Sequence, residues 1–331
     1  MSATYSKGGQ DQGRGISKLV SSTNTLSFGD RETFVAGMND VTAKPVLRMV
    51  DEFRREFTWR DWKGVNYSLL EEWQYVNGPA KDDACTSGIR DEHNVGKIPE
   101  DFLAGVNHYI MAHRSVGFGV HLPEEHAYLT RHEVLAVRLF SGPAYQPINM
   151  FLRQISKLTG EYRTAMSAHA RLTFAATVGH LVKAIRKLAA VASAEETSRL
   201  VFRGMRGELP KGFWVPDATG VVCAVDASFM SVSKFRGAPI AYMGPGPNVL
   251  WAIHQSPQSD AGYHSGADIS MLSQFANEEE LLFPPCTMLT VLPPSSADNF
   301  AQAAERETAA FEERIEDEKR FIMVSVMPTF V

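Results

Sequence analysis

Three short runs in this 331-residue chain carry side chains whose types and spacing could do chemistry together. The first is NEEELLFPP, Asn277 to Pro285, where Glu278, Glu279 and Glu280 run straight into an apolar segment closed by two prolines. In a strand, side chains alternate, so Glu278 and Glu280 are expected on one side and Glu279 on the other. Two carboxylates a strand period apart fit one small site, and each raises the other's proton affinity unless a cation or hydrogen bond intervenes. The second run is SRLVFRGMRG, with Arg203 at the end of an apolar strand and Gly204 directly after it. Such an arginine offers a fixed fork of donors suited to phosphate oxygens, and the glycine lets a ligand approach the backbone. Arg206 competes for the role. In the third run, SFMSVSK, Ser231 and Ser233 fall on one face of a strand. Taken singly, each run has a plain reading: a solvated acidic loop, a surface arginine, two structural serines.

Other chemistries lack their residues. GPGPN, Gly244 to Asn248, has two prolines and no GK[ST], which makes it a turn and not a phosphate loop. The histidines never fall in HExxH or a two-plus-two ligand spacing, so no metal is expected. There is no GxSxG elbow. A net charge of −5 argues against a nucleic-acid partner bound through its phosphates and gives no attraction to a membrane. No apolar run approaches the ~18 residues of a bilayer span. The polar opening segment lacks the core of a secretory signal and reads as a disordered lead-in over 1–28, which favours a cytoplasmic protein; secretion without a removable signal would look the same. Cys85, Cys223 and Cys286, odd in number and widely spaced, read as buried free thiols.

The elements that must position the three runs follow from periodicity. Helical spacing covers Val46 to Phe57, Leu69 to Val76 and Phe102 to Ile110. Thr130 and Glu133 form a capping box for a helix that should stop at Gly142–Pro143. Phe174, Val178, Leu181, Ile185 and Leu188 mark a further helix, with Lys183, Arg186 and Lys187 on its opposite face. NGPAKDDACTSG reads as a loop. From about Ser198 the period changes to two, and five strand-like runs follow, with a charged helix expected over 298–318 before the last. Helices first and strands after is the α+β order.

Taken in order, aromatic–Arg203–Gly204, Phe229-x-Ser231-x-Ser233 and Glu278-x-Glu280 before an apolar strand and proline resemble the arginine-specific mono-ADP-ribosyltransferases, the Arg–Ser–Glu class of the ADP-ribosyltransferase fold. The resemblance extends upstream through EVLAVRLFSGPAYQPINMFLR and spans roughly residues 129–292. It implies an ADP-ribosyltransferase-like split β-sandwich with an N-terminal helical region: a helical region over 29–125, then a catalytic domain over 126–331 carrying the insertion at 298–318. It also implies an enzyme that uses NAD as substrate and an acceptor protein with an exposed arginine as partner. By the family's roles, Glu280 is the catalytic glutamate and Glu278 orients and deprotonates the acceptor. Arg203 holds the NAD phosphates, Gly204 the nicotinamide carboxamide, and Ser231 the ribose and Glu280, with Ser233 in support. Glu279 is expected to be dispensable. Val232 departs from the usual threonine between the serines, and the region before Leu129 is only loosely family-like, with room for a regulator. An NAD glycohydrolase using water, or a silent binding module of the same fold, are the rival readings.

Overall fold

The computed structural model describes residues 53–54, 56–57, 69–77, 98–113, 128–155, 174–209, 211–214, 216, 221–257, 263–292 and 313–330. They fall in two compact units. A helical unit takes in residues 32–193 and 267–280, and a sheet unit takes in 194–266 and 281–331. The lead-in expected over 1–28, the loop at 78–88 with Cys85, and residues 298–312 lie outside the described residues.

The helical unit follows the apolar stripes of its sequence. Helix α1 (Leu69–Asn77) buries Leu69, Trp73 and Val76, and α2 (Pro99–His113) buries Phe102, Val106 and Ile110. Helix α3 (Arg131–Leu139) begins at Thr130, whose Oγ1 accepts from the Glu133 N–H at 3.3 Å. The Glu133 carboxylate accepts in return from the Thr130 N–H at 2.8 Å. Two otherwise orphaned donors are thereby satisfied at the helix start.

The helix breaks at Gly142–Pro143, as the sequence predicts, and the break is a kink between two helices. A π-helical turn (Phe140–Ala144) follows α3, and α4 (Tyr145–Ile155) continues at once. Gly142 leaves helical geometry at φ −90° and ψ −164°, whereas Pro143 has the fixed φ that suits the first turn of a new helix. Helix α5 (Ala175–Ala189) buries Val178, Leu181, Ile185 and Leu188, as the spacing predicts. Lys183 and Arg186 are exposed on it. Lys187 is not: its Nζ donates to the Tyr128 carbonyl at 2.7 Å and to both Glu133 oxygens at 3.0 and 2.9 Å. Burial of Glu133 explains this, because a buried carboxylate requires a counter-charge.

The sheet unit opens with a short helix α6 (Ala194–Thr197) and holds β1 (Leu200–Arg206), β2 (Cys223–Asp226), β3 (Met230–Ser233), a five-residue helix α7 (Gly237–Ala241) and β4 (Asn248–His254). The two-residue β5 (Ala267–Asp268) belongs to the helical unit. It precedes β6 (Glu280–Phe283), β7 (Thr287–Val291), β8 (Glu313–Glu316) and β9 (Lys319–Thr329). Hydrogen bonding orders the sheet-unit strands β2-β7-β9-β4-β1-β3-β6, with β8 on β9. β4 and β9 run parallel, and β1 is antiparallel to both β3 and β4. One buried cluster draws on both ends of that path: Ala224, Leu289 and Val291 from one, Met230, Val232, Leu281 and Phe283 from the other, with Val201, Trp251 and Val324 between. The ring of Phe330, just beyond β9, meets Phe283 of β6 edge-on at 6.1 Å. The sheet therefore curls until its two ends share a core, as a split sandwich requires.

The helix expected over 298–318 is not found at its C-terminal end. Residues 313–316 are β8, paired antiparallel with β9. Asp317 and Glu318 turn the chain at φ +49° and +61°, the positive φ at both central residues that matches the twist of a tight hairpin. The charged residues 313–316 thus lie on a short strand beside β9.

Candidate active site

Strand β1 sends Val201, Arg203 and Met205 to the sheet core, and Phe202 and Gly204 to the opposite face, where α7 packs. Arg203 lines a narrow concavity with Asp226, Met230, Trp251 and Leu289. Its Nη1 donates to the Ser231 carbonyl at 2.7 Å, and its Nη2 lies 3.5 Å from Asp226 Oδ2. Asp226 is buried and fixed in turn, since its Oδ1 accepts from the Ser228 N–H at 3.0 Å and from the Ser228 Oγ at 2.7 Å. A guanidinium on a core face needs such a pairing to remain there charged.

The serines take the other alternation. Met230 and Val232 enter the core, so Ser231 and Ser233 face away from it. Ser233 pairs in register with Phe202, and its Oγ accepts from the Phe235 N–H at 3.0 Å. Continued by two residues, that register sets Gly204 against Ser231. Gly204 is demanded by packing: an added Cβ would lie 2.8 Å from the Pro239 carbonyl oxygen. Thus β1 and β3 bring Arg203, Gly204, Ser231 and Ser233 side by side, but the guanidinium stem and the two hydroxyls leave opposite faces of the sheet. Arg206 turns elsewhere, with Nε and Nη2 donating to the Tyr242 carbonyl at 3.0 and 2.7 Å. GPGPN is a turn tied by Asn248, whose Nδ2 donates to the Gly244 and Gly246 carbonyls at 3.1 and 2.6 Å.

The three carboxylates depart from the strand geometry expected of them. Ala276–Glu278 is a 3-10 turn, and Glu279 follows in the left-handed region at φ 45° and ψ 50°. Strand alternation therefore begins only at Glu280, the first residue of β6. Glu278 and Glu279 are exposed and Glu280 is half-buried. The segment leading to them closes on itself. The Ile269 N–H donates to the Glu280 carbonyl at 3.1 Å, and the Glu278 N–H to that of Phe275 at 3.0 Å.

Sequence reasoning missed the buried polar groups behind these residues. Asp226 ends the apolar run VVCAVD, and Arg138 interrupts the apolar AVRLF; a charge set inside an apolar element was the available signal. Among the described residues, no three His, Cys, Asp or Glu side chains gather as a metal site, and no helix is long and apolar enough to cross a membrane.

No family model matches the chain, and no curated protein does so. Solved structures match over most of its length. The ADP-ribosyltransferase HopU1 of Pseudomonas syringae pv. Tomato DC3000 is 17% identical, with 78% of this chain and 95% of that one covered and a TM-score of 0.42. The Vis toxin, an ADP-ribosyltransferase from Vibrio splendidus, is 17% identical over 74% and 90%, with a TM-score of 0.38. A mutant of the eucaryotic mono-ADP-ribosyltransferase ART2.2 in complex with NADH is 13% identical over 86% and 88%, with a TM-score of 0.40. None reaches the identity or superposition at which activity transfers between chains.

Proposed function

We propose that the chain transfers ADP-ribose from NAD to arginine side chains of acceptor proteins and releases nicotinamide. One observation carries the reading: β1, β3 and β6, the strands that bear Arg203–Gly204, Ser231-x-Ser233 and the Glu280 end of Glu278-x-Glu280, are successive neighbours in the sheet. Three sequence runs far apart in the chain are thus on adjoining strands.

The chemistry asks for that set. Nicotinamide in NAD is already cationic, so breaking its bond to the ribose sends the electron pair to the ring nitrogen and needs no acid. Positive charge grows on the ribose, as in glycoside cleavage. A carboxylate held beside it, Glu280, lowers the barrier by several kcal/mol in a shielded site. The incoming guanidinium is protonated at neutral pH and a poor nucleophile, so Glu278 would orient it and accept its proton. Arg203 would meet the phosphates, with Asp226 and the Ser231 carbonyl limiting where its guanidinium can go. Gly204 would bond the nicotinamide carboxamide through its backbone. Ser231 would hold the ribose and Glu280, and Ser233 would secure β3. NAD enters as substrate, and no metal takes part in this scheme.

Nicotinamide release measured with and without an arginine analogue tests the reading. The wild type should release more in its presence and form an ADP-ribosyl adduct. Glu278→Gln should keep the slow, analogue-independent release but lose the adduct. Release that never responds to the analogue would instead make the protein an NAD glycohydrolase. No release and no NAD binding would leave a silent module.

A further inference from the structure

The loop that carries Glu278 is fastened from behind by a buried polar clamp. Gln274 is 1% exposed, and its Nε2 donates to Glu72 Oε1 at 2.9 Å and to the Arg138 carbonyl at 2.6 Å. Its backbone N–H donates to Ser141 Oγ at 3.0 Å, and that hydroxyl donates to the same Arg138 carbonyl at 3.0 Å. Arg138, also 1% exposed, donates from Nη1 to the Leu272 carbonyl at 3.3 Å, and its guanidinium carbon sits 3.9 Å over the Phe102 ring. Residues 272–274 are therefore held on both sides by α3 and the turn after it. The kink makes room for this. At Gly142 an added Cβ would lie 2.3 Å from Gln274 Nε2 and 2.6 Å from Glu72 Oε1.

The clamp is continuous with the carboxylates through backbone bonds. The Ser273 Oγ accepts from the Phe275 N–H at 2.9 Å, and the Phe275 carbonyl accepts from the Glu278 N–H at 3.0 Å. Glu280 has separate support, from Ile269 and from β6. Two carboxylates two residues apart thus hang from different anchors.

We infer that Gln274 is a positioning residue for Glu278, acting through the 3-10 turn, and that Gly142 exists to admit it. The inference rests on the proposed function for its consequence in catalysis but not for its mechanics. Buried side chains that bond the backbone of a short segment from both of its sides fix the turn that follows it. Loosening the clamp should misplace Glu278 more than Glu280. Arginine modification should then suffer more than NAD cleavage, since a displacement of about 1 Å can cost on the order of a hundredfold.

The test uses Gln274→Leu, which keeps the volume and removes the donors, and Gly142→Ala, which presses on the same contact from the other side. Transfer to an arginine analogue, NAD hydrolysis and amide exchange over residues 270–280 are measured for each. Both variants should lower the ratio of transfer to hydrolysis about tenfold or more, with KM for NAD within about twofold. The Glu278 amide should exchange about tenfold faster while that of Ile269 keeps its rate. Equal loss of both activities, or a wild-type ratio, would overturn the inference. So would unchanged exchange at Glu278, whether or not the protein turns over NAD. No NAD turnover by the wild type, together with faster Glu278 exchange in both variants, would remove the proposed function and leave the clamp standing.

Discussion

Glu279 takes φ 45° and ψ 50° between two carboxylates that leave the backbone differently, Glu278 from a 3-10 turn and Glu280 from the head of a strand. A side chain in the left-handed region costs about 1 kcal/mol relative to glycine, so Glu279→Gly should hold or raise stability by that order while NAD turnover stays at the wild-type level. Thermal melts and nicotinamide release check both. A loss of turnover would mean that Glu279 itself takes part. The residue types at 203, 231, 278 and 280 were legible in the sequence because a charge or hydroxyl at the edge of an apolar run stands out. Their geometry was not. Alternation read from spacing assumes that the strand has begun, and one left-handed residue at 279 postpones it until Glu280. The partners of Asp226 and Gln274 were not legible for another reason: Arg203 and Glu72 lie on other elements, and nothing local names the contact, even where a charge such as Asp226 stands out in an apolar run.

Helices α3 and α5 meet through a pair of imidazoles as well as through Lys187 and Glu133. The His132 and His180 rings stack at 5.6 Å, and His180 also lies 5.1 Å from Phe53. Burial, then the charges of His132, Lys183 and Lys187, holds the pKa of His180 down at about 4, against an ordinary 6.5. Burial and the Arg131 charge lower that of His132 as well. The unfolded chain therefore takes up protons before the folded one as pH falls. The stabilisation is full above about pH 6.5 and is lost as pH drops from there towards 4, by on the order of 3 kcal/mol for His180. Denaturant melts followed by helical circular dichroism at pH 7 and pH 5 should show it, and His180→Phe should flatten the slope between them. An equal slope in the variant would contradict the assignment. At this scale apolar period placed α1, α2, α3 and α5 correctly, because their buried stripes are long. It also placed the break at Gly142–Pro143, but it misjudged residues 313–318, where the outcome depends on what packs nearby: β9 offers an edge to β8.

Across the whole chain, a helical unit carries the turn with Glu278, and a sheet unit carries Arg203, Gly204, Ser231 and Ser233, with β6 passing from the first into the second after Glu280. The α+β order of the sequence anticipated a mixed fold with helices ahead of strands, since runs of helix followed by runs of strand do not interleave into a parallel sheet. Order alone did not reveal that the path β1-β3-β6 would gather runs separated by dozens of residues, because strand pairing is set by the curled core that both sheet ends share. The proposed transfer depends on one carboxylate acting on NAD. Wild type and Glu280→Gln should each be incubated with NAD labelled in its ADP-ribose and a protein acceptor rich in arginine, and the labelled residues identified by mass spectrometry. Label is expected on arginine with the wild type, and at a rate lower by on the order of a hundredfold or more with Glu280→Gln. Label on another residue type, or equal labelling by both proteins, would contradict it.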